Sequence, residues 1–459
     1  MPISPRALAS KLLVQCEKSR SYANLALDAA LRRESLAGAD AALCAALVYG
    51  AIERRRTLDY QLESLLQKPL AELPAEARAA LRLGLYQLFF MERIPAHAAI
   101  FESVALAKAS QKSRHLAALV NAVLRRAQRQ GLLLPEGDDD HTLSIRYSCP
   151  EWLVSLWRES YPNDYIPLLE HSFGPGETIL RVNTVKLTAT KTTTKALAER
   201  LGAQPAEGLP GALRISGEGS VTRLPGYAEG LFHVQDAAAQ LCCRTLDPQP
   251  GDTVLDLCAA PGGKSFTCAQ LMRDQGKVIA MDLHAHRVRL IGQGAARLGL
   301  TCIEAIQGDA RNAQALCPEK AARVLCDVPC SGLGTIRKKP DIREKMRAEL
   351  DKLPEMQYAI LCGGMRCLAP GGTLVYATCT LNPAENEDVC NRFLAEHPQF
   401  RAEPYQTFMP HTHGTDGFFV ASFKLINPNE PPLPGSPRSP QALWGEIASG
   451  DARRAGGSV

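Results

Sequence analysis

Short apolar segments alternate with helix-forming stretches in the C-terminal half of the chain, and this alternation limits the fold more than any other feature. From Gly251 onward, the apolar segments are TVLDLCA, KVIAMDL, CIEAIQGD, RVLCDVP and GTLVYATC. Helices that connect such strands cover both faces of a parallel sheet and keep the strands buried. The pattern therefore predicts an α/β domain with a parallel sheet in residues 236–426.

The first part of the chain has a helical pattern instead. From Pro5 to about Gln130 it is rich in Ala and Leu, and its apolar residues recur at helical spacing. Interruptions that suit helix boundaries better than helix interiors fall at Pro69, Pro74, Pro95 and Gly131. We therefore predict an all-α domain over residues 1–134.

Two further regions complete the expected domain organisation. At 459 residues the chain is too long for one ordinary hydrophobic core, so two or three domains are expected. Residues 143–235 mix helical and strand-like patterns and predict an α/β connector. Residues 427–459 are rich in Pro, Gly and Ser, which predicts a disordered tail.

The composition excludes several classes of protein. Hydrophobic residues make up 46% of the chain, and no apolar run reaches the roughly 20 residues that span a bilayer. The first residues lack the pattern of a secretion signal, so a cytoplasmic location is expected. The 15 cysteines are scattered, and none forms the two-residue spacing of structural zinc sites. We predict no metal, no membrane contact and a monomer.

The segment TVLDLCAAPGGKSFTCAQ predicts a ligand pocket, because it has the order strand, glycine turn, helix. Pro261, Gly262 and Gly263 form the turn, where missing side chains let a ligand approach the backbone. Amides at the start of the following helix favour negative charge. Such turns also serve nucleotides, flavins and plain strand-to-helix connections, so the turn alone does not identify the ligand.

Acidic residues follow the next three apolar segments, at the sheet edge where open α/β folds bind ligands. They are Asp282, Asp309 and Asp327. A carboxylate at Asp282 can accept hydrogen bonds from two ribose hydroxyls, and Asp309 is placed to meet an adenine amino group. Helix capping or a turn explains each acid singly, but explains the three together poorly.

Three motifs resemble those of the Nop/Sun family of RNA cytosine-C5 methyltransferases: DLCAAPGGK, DVPCSGLG and VYATCT. The stretches PAHAAIFESVALAK and LVNAVLRR are similar to the NusB-like RNA-binding domain of bacterial members that modify 16S ribosomal RNA. The resemblance covers roughly residues 5–425. It implies a NusB-like N-terminal domain, an RNA-binding role for residues 143–235, and a Rossmann-like methyltransferase domain dependent on S-adenosylmethionine.

The resemblance also implies the cofactor residues. They are the loop Cys258, Ala259, Ala260, Pro261, Gly262, Gly263 and Lys264, together with Asp282, Asp309 and Asp327.

Two cysteines carry the chemistry that the resemblance implies. Carbon 5 of cytosine is too weak a nucleophile to take a methyl group until a thiolate has added at carbon 6. The family nucleophile maps onto Cys379, where Thr380 replaces the usual Ser, and the second cysteine maps onto Cys330, which assists product release. Asp327 would contact the N3 and N4 edge of the base, a role that overlaps with its place in the cofactor pocket.

Arg337, Lys338 and Lys339 follow DVPCSGLGTI and are expected to contact RNA phosphates. The expected substrate is 16S ribosomal RNA. Transfer RNA as substrate and a non-catalytic RNA-binding or assembly role remain alternatives. A DNA cytosine-C5 methyltransferase, whose nucleophile would be Cys330, is a further rival. An exocyclic-amine methyltransferase needs no thiol and fits the sequence less well.

Overall fold

The chain forms two compact units in a computed structural model that describes residues 3–19, 23–174, 176–215 and 221–425. One unit comprises Met1–Pro175 with Ile336–Lys345, and the other comprises Gly176–Thr335 with Met346–Val459. The expected disordered tail, residues 427–459, lies outside the described residues. Within the described ranges, no helix combines the length and apolar character needed to cross a membrane.

The first unit is helical, which confirms the all-α N-terminal domain, and it also includes three α-helices beyond residue 134. Its α-helices are α1 (Pro5–Ser19), α2 (Ala23–Arg33), α3 (Gly38–Glu53), α4 (Arg55–Leu65), α5 (Ala75–Phe90), α6 (Ala96–Ala109), α7 (Ala117–Gln130), α8 (Asp140–Arg146), α9 (Glu151–Ser160) and α10 (Tyr165–Glu170). Pro74 and Pro95 directly precede α5 and α6, because proline at a helix start loses no hydrogen bond. Gly131 follows α7 with a φ of +80°.

The segment Ile336–Lys345 packs within this helical unit around Arg343. The Arg343 side chain is 1% exposed, and its guanidinium group donates to the carbonyl oxygens of Tyr147 (3.0 Å) and Ser172. Burying a guanidinium group without such acceptors would cost several kcal/mol. These bonds therefore hold the segment in place within the unit.

The second unit contains a small antiparallel sheet with strand order β2-β3-β1-β4. Its elements are β1 (Thr178–Val182), α11 (Thr184–Ala189), α12 (Thr194–Leu201), β2 (Gln204–Pro205), β3 (Ala212–Ile215) and β4 (Phe232–Val234). Leu180, Leu197, Leu213 and Phe232 form its apolar core. The limits 143–235 that we predict for the connector remain a proposal.

The larger sheet has the strand order β10-β12-β9-β8-β5-β6-β7, with β11 paired to β12. Its strands are β5 (Thr253–Asp256), β6 (Lys277–Asp282), β7 (Ile303–Gln307), β8 (Ala321–Asp327), β9 (Leu368–Thr378), β10 (Phe400–Ala402), β11 (Gln406–Phe408) and β12 (Phe418–Leu425). Strands β5 to β9 are parallel, which confirms the predicted Rossmann-like α/β domain. The antiparallel strands β10 to β12 were not predicted.

Helices cover both faces of this sheet. They are α13 (Ala237–Leu246), α14 (Gly263–Leu271), α15 (Ala285–Leu298), α16 (Ala313–Leu316), α17 (Leu353–Cys367), α18 (Glu387–Glu396) and the short α19 (Pro410–His413). Alternate strand residues pack against α13 to α15 on one face and α16 to α18 on the other. The strand order reverses between β5 and β8, which is where open α/β sheets form ligand crevices.

Candidate active site

The glycine turn lies between β5 and α14. Gly262 has a φ of +110°, and a Cβ atom there would lie 2.3 Å from Cζ of Phe266. A Cβ atom at Gly263 would instead enter open space, with Nε2 of Gln235 as its nearest neighbour at 3.9 Å. Gly262 is therefore required by the fold, whereas Gly263 leaves its backbone accessible to a ligand.

Two predicted carboxylates lie at the neighbouring strand ends. Asp282 is the last residue of β6 and is 4% exposed, and its Oδ1 accepts a hydrogen bond from the amide of His284 at 3.0 Å. Asp309 follows β7 and accepts from Nε of Arg311 at 2.9 Å. This hydrogen bond holds the pKa of Asp309 below its usual value. Arg311 would therefore have to share this carboxylate with an adenine amino group.

Asp256 is a buried strand-end acid next to the glycine turn that the sequence prediction did not name. It ends β5, is fully buried, and accepts a hydrogen bond from Oγ of Ser265 at 2.7 Å. Its Oδ1 is buried without a hydrogen-bond partner among the described residues. Burial raises the pKa of Asp256 to about 7. The sequence could have indicated Asp256, because it lies at the end of an apolar segment, as the predicted acids do.

Lys264, which we expected in the cofactor loop, pairs with Asp327 at the end of β8. The distance from Nζ of Lys264 to Oδ2 of Asp327 is 2.7 Å, and the side chains are 13% and 27% exposed. Burial alone would lower the pKa of Lys264, but the charge of Asp327 outweighs burial and raises the pKa above its usual value. The lysine is therefore charged and is directed at the carboxylate predicted to face the base.

The two predicted catalytic cysteines meet at adjacent strand ends. Cys379 directly follows β9, Cys330 lies three residues beyond β8, and these strands are parallel neighbours. Their sulfur atoms are 3.3 Å apart. The hydrogen bond to Cys379, together with burial, raises the pKa of Cys330 well above its usual value. Cys330 is therefore a thiol at rest, close enough to exchange a proton with Cys379.

Asn386 and Glu385, which the sequence prediction missed, form hydrogen bonds with residues adjacent to these cysteines in the chain. Oδ1 of Asn386 accepts a hydrogen bond from Oγ1 of Thr378 at 2.6 Å, and its Nδ2 donates to the carbonyl of Thr380 at 3.0 Å. Glu385 is fully buried and accepts a hydrogen bond from the amide of Ser331 at 2.8 Å. In the sequence, both residues belong to an acidic stretch typical of an exposed helix start.

The predicted basic cluster lies in the segment assigned to the helical unit. Nε of Arg337 donates to the carbonyl of Gly174 at 3.4 Å, while Lys338 and Lys339 are exposed. Contact of this cluster with RNA stays a prediction. Within the described ranges, no group of three or more His, Cys, Asp or Glu residues is arranged so that it could hold a metal ion.

Three family models match the chain in the order of its predicted regions. Residues 243–424 match the family described as 16S rRNA methyltransferase RsmB/F. Residues 3–129 match the NusB family, and residues 149–222 match the ferredoxin-like domain of RsmF/B-like methyltransferases. The matches confirm the resemblance to this family and to NusB.

Similar proteins extend over almost the whole chain. A Synechocystis sp. protein named probable ribosomal RNA small subunit methyltransferase B is 40% identical over 92% of this chain and 99% of its own length. Ribosomal RNA small subunit methyltransferase B of Vibrio cholerae is 37% identical over 90% of this chain and 96% of its own length. The crystal structure of PH0851 has the same fold, with a TM-score of 0.77 and 24% identity over 92% of this chain and 99% of that one. The chain therefore belongs to the 16S rRNA methyltransferase RsmB/F family.

Proposed function

We propose that this enzyme transfers a methyl group from S-adenosylmethionine to carbon 5 of a cytosine in small-subunit ribosomal RNA. The observation that carries the proposal is the 3.3 Å separation of the Cys330 and Cys379 sulfur atoms at adjacent strand ends. Two thiols at this distance suit a reaction that needs one nucleophile and one proton acceptor. The names of the similar proteins support the choice of RNA.

The glycine turn and the acidic strand ends fit S-adenosylmethionine. Open space at Gly263 admits a ligand to the backbone. Asp282 and Asp309 would bind the ribose hydroxyls and the adenine amino group. When bound, the cofactor supplies an electrophilic methyl group.

Cys379 would activate the base. Its thiolate forms a bond from Sγ to carbon 6, and the electron pair of the C5–C6 double bond makes carbon 5 nucleophilic. Asp327 would contact the N3 and N4 edge of the cytosine, and Lys264 holds its carboxylate at 2.7 Å. The Asp327 carboxylate would accept a hydrogen bond from the N4 amino group, and the ammonium group of Lys264 would offset the negative charge that moves into the ring when Sγ adds to carbon 6, because the pair is fixed before the reaction begins.

Cys330 would complete the reaction. Once Cys379 is bonded to carbon 6, it can no longer raise the pKa of Cys330 through their hydrogen bond, which is the largest cause of the shift. The Cys330 thiol can then release its proton to water, and the resulting thiolate takes the proton from carbon 5. The electron pair of that C–H bond restores the C5–C6 double bond, and the Sγ–C6 pair returns to Cys379.

Substitution of each cysteine tests this assignment. Cys379→Ala should abolish both methylation and the covalent RNA adduct, whereas Cys330→Ala should accumulate an adduct that survives denaturing electrophoresis. Cys362→Ala, in α17, is the matched control and should behave as the wild type. Loss of the adduct in Cys330→Ala alone would make Cys330 the nucleophile, as in DNA cytosine-C5 methyltransferases, and would refute the assignment.

The substrate needs a separate test. Methylcytosine mapping of total RNA from cells with and without this protein should show a site in small-subunit ribosomal RNA that is lost on deletion. A lost site in transfer RNA would refute the ribosomal substrate. Calorimetry with S-adenosylmethionine should show binding to the purified protein, alone or with RNA, and its absence in both would favour the non-catalytic assembly role.

A further inference from the structure

Glu385 is a fully buried carboxylate in the short turn Pro383–Glu385 between β9 and α18. Its Oε2 accepts hydrogen bonds from the amide of Ser331 at 2.8 Å and from Nε2 of Gln357 at 2.9 Å. Its Oε1 accepts hydrogen bonds from Oγ of Ser331 and from Nδ2 of Asn382, the latter at 2.9 Å. The buried charge is thus met by donors at both oxygens, as burial of a carboxylate requires.

The same hydrogen bonds connect residues 329–331, which we call the Cys330 loop, with residues 379–380, which contain Cys379. Ser331, which follows Cys330, also lies 2.6 Å from Oγ1 of Thr380, the residue that follows Cys379. Because the Ser331 hydroxyl hydrogen is donated to Glu385, Thr380 must donate its own hydrogen to Ser331. Gln357 bonds the carbonyl of Pro329 at 2.9 Å, so the Cys330 loop is held on both sides of the cysteine.

We propose that Glu385 is a positioning residue, which fixes the Cys330 loop at the separation from Cys379 that proton removal and release of the RNA require. This inference rests on the proposed function, because it assigns Glu385 to the step that Cys330 performs. Glu385 acts through Ser331 and Thr380, and the hydroxyl that Thr380 shares with the usual family Ser is the group that completes the connection.

A glutamine at this position should break the connection without changing its size. Glu385 accepts four hydrogen bonds, two at each oxygen, and an amide would turn its own NH2 group toward two of these donors. A lost hydrogen bond to a charged group costs about 1.5–3 kcal/mol, which corresponds to roughly a 10- to 100-fold change in rate if the cost falls on one step. We expect that step to be decay of the RNA adduct, with adduct formation at Cys379 changed much less.

Single-turnover measurements on the full-length enzyme test the proposal by following adduct formation and adduct decay separately. Glu385→Gln should slow decay by about 10- to 100-fold and accumulate adduct, as is expected of Cys330→Ala. In the double variant that combines Glu385→Gln with Cys330→Ala, the RNA adduct should decay no more slowly than in Cys330→Ala, because both changes would act on the same step. Glu387→Gln is the matched control, since Glu387 is a partly buried neighbour whose Oε2 has no hydrogen-bond partner in the described part of the chain.

A second pair of variants keeps the test valid if Glu385→Gln fails to fold. Thr380→Val removes only the hydroxyl that reaches Ser331 and should also slow decay, whereas Thr380→Ser should restore the rate lost in Thr380→Val. Equal slowing of formation and decay in the Glu385 or Thr380 variants, or additive slowing in the double variant, would overturn the inference. If Cys330→Ala itself accumulates no adduct, the proposed function fails first, and the inference fails with it.

Discussion

Nζ of Lys264 lies 2.7 Å from Oδ2 of Asp327, and this contact joins the start of α14 to the end of β8. Lys264 follows the glycine turn expected to bind the cofactor, whereas Asp327 precedes the Pro-Cys motif expected to face the base. The same ion pair would thus border both ligands of the proposed reaction. Lys264 also lies 5.0 Å from the ring centroid of Phe418, which adds a cation–π contact.

Lys264→Met should lower kcat/KM for RNA methylation by about 100-fold. The substitution keeps much of the apolar stem but leaves the partly buried carboxylate of Asp327 without its cation. Asp327 is then no longer held toward the cytosine edge. Steady-state methylation kinetics check the effect, and Lys264→Arg should recover part of it because the charge is retained.

Lys277→Met is the matched control for this loss of charge. Lys277 pairs with Glu304 at 2.9 Å, but both side chains are about half exposed. Exposed pairs contribute at most about 1 kcal/mol, so methylation should stay within about twofold of the wild type. Equal losses in the Lys264 and Lys277 variants would show that the Lys264 effect is not specific to the site.

Much of the catalytic fold could be predicted from local sequence patterns. Strands β5 to β9 alternate with helices, and their apolar runs are long enough to be recognised individually. Among the antiparallel strands that were missed, β10 and β11 have 3 residues each, which is too short for an apolar pattern to be recognised. The packing of Arg343 among carbonyls almost 200 positions earlier could not be predicted, because it depends on contacts between residues distant in sequence.

The location of the candidate site residues could be predicted where it depends on position along a strand. Asp282 and Asp327 lie at strand ends, and the fold brings such ends to one edge. Glu385 and Glu387 differ by only two positions, yet only Glu385 receives donors from the cysteine loop. Which of these two acids is buried depends on the tertiary packing of β9 and α18. It could therefore not be predicted from the local sequence pattern.

Substitutions in the glycine turn should separate folding from cofactor binding. Gly262→Ala should lower the melting temperature, because the new methyl group would meet Phe266 at 2.3 Å in a left-handed backbone. Gly263→Ala should leave the melting temperature nearly unchanged but weaken binding of S-adenosylmethionine about tenfold or more, since its methyl group enters the space we assign to the ligand. Calorimetry and thermal unfolding check both, and unaltered cofactor affinity in Gly263→Ala would place the cofactor elsewhere.

Asp256→Asn should change the pH dependence of stability. The folded-state pKa of Asp256 is raised to about 7, so the folded protein retains a proton that the unfolded chain loses near pH 4. The stability of the wild type therefore falls, through this group, as the pH rises from about 4 to 7. The asparagine variant cannot lose stability in this way, because its side chain does not ionise. Its free energy of unfolding relative to the wild type should therefore rise by at most about 4 kcal/mol between about pH 4 and pH 7.

Thermal unfolding at pH 5 and pH 8 checks this expectation. Asp274→Asn is a control, because the pKa of Asp274 is shifted in the opposite direction: the backbone amides of Thr301 and Cys302 outweigh partial burial and lower it. The stabilisation by its ionised form is complete above the unfolded pKa of about 4 and is lost only at lower pH, so the stability of this variant relative to the wild type should not change between pH 5 and pH 8. A pH-independent difference for Asp256→Asn would contradict the raised pKa.

Lys338→Ala and Lys339→Ala should each weaken RNA binding with little effect on sequence preference. Both lysines are exposed, and a phosphate contact releases a counterion whatever the base. For single-stranded RNA, each lost contact should reduce the slope of log K against log salt by about 0.7. Filter binding at several salt concentrations measures this slope, with Lys68→Ala, an exposed lysine between α4 and α5, as the control. An unchanged slope in both lysine variants would show that these lysines do not contact RNA phosphates. A slope that changes in these variants but not in Lys68→Ala would assign the phosphate contact to the segment Ile336–Lys345, which Arg343 anchors.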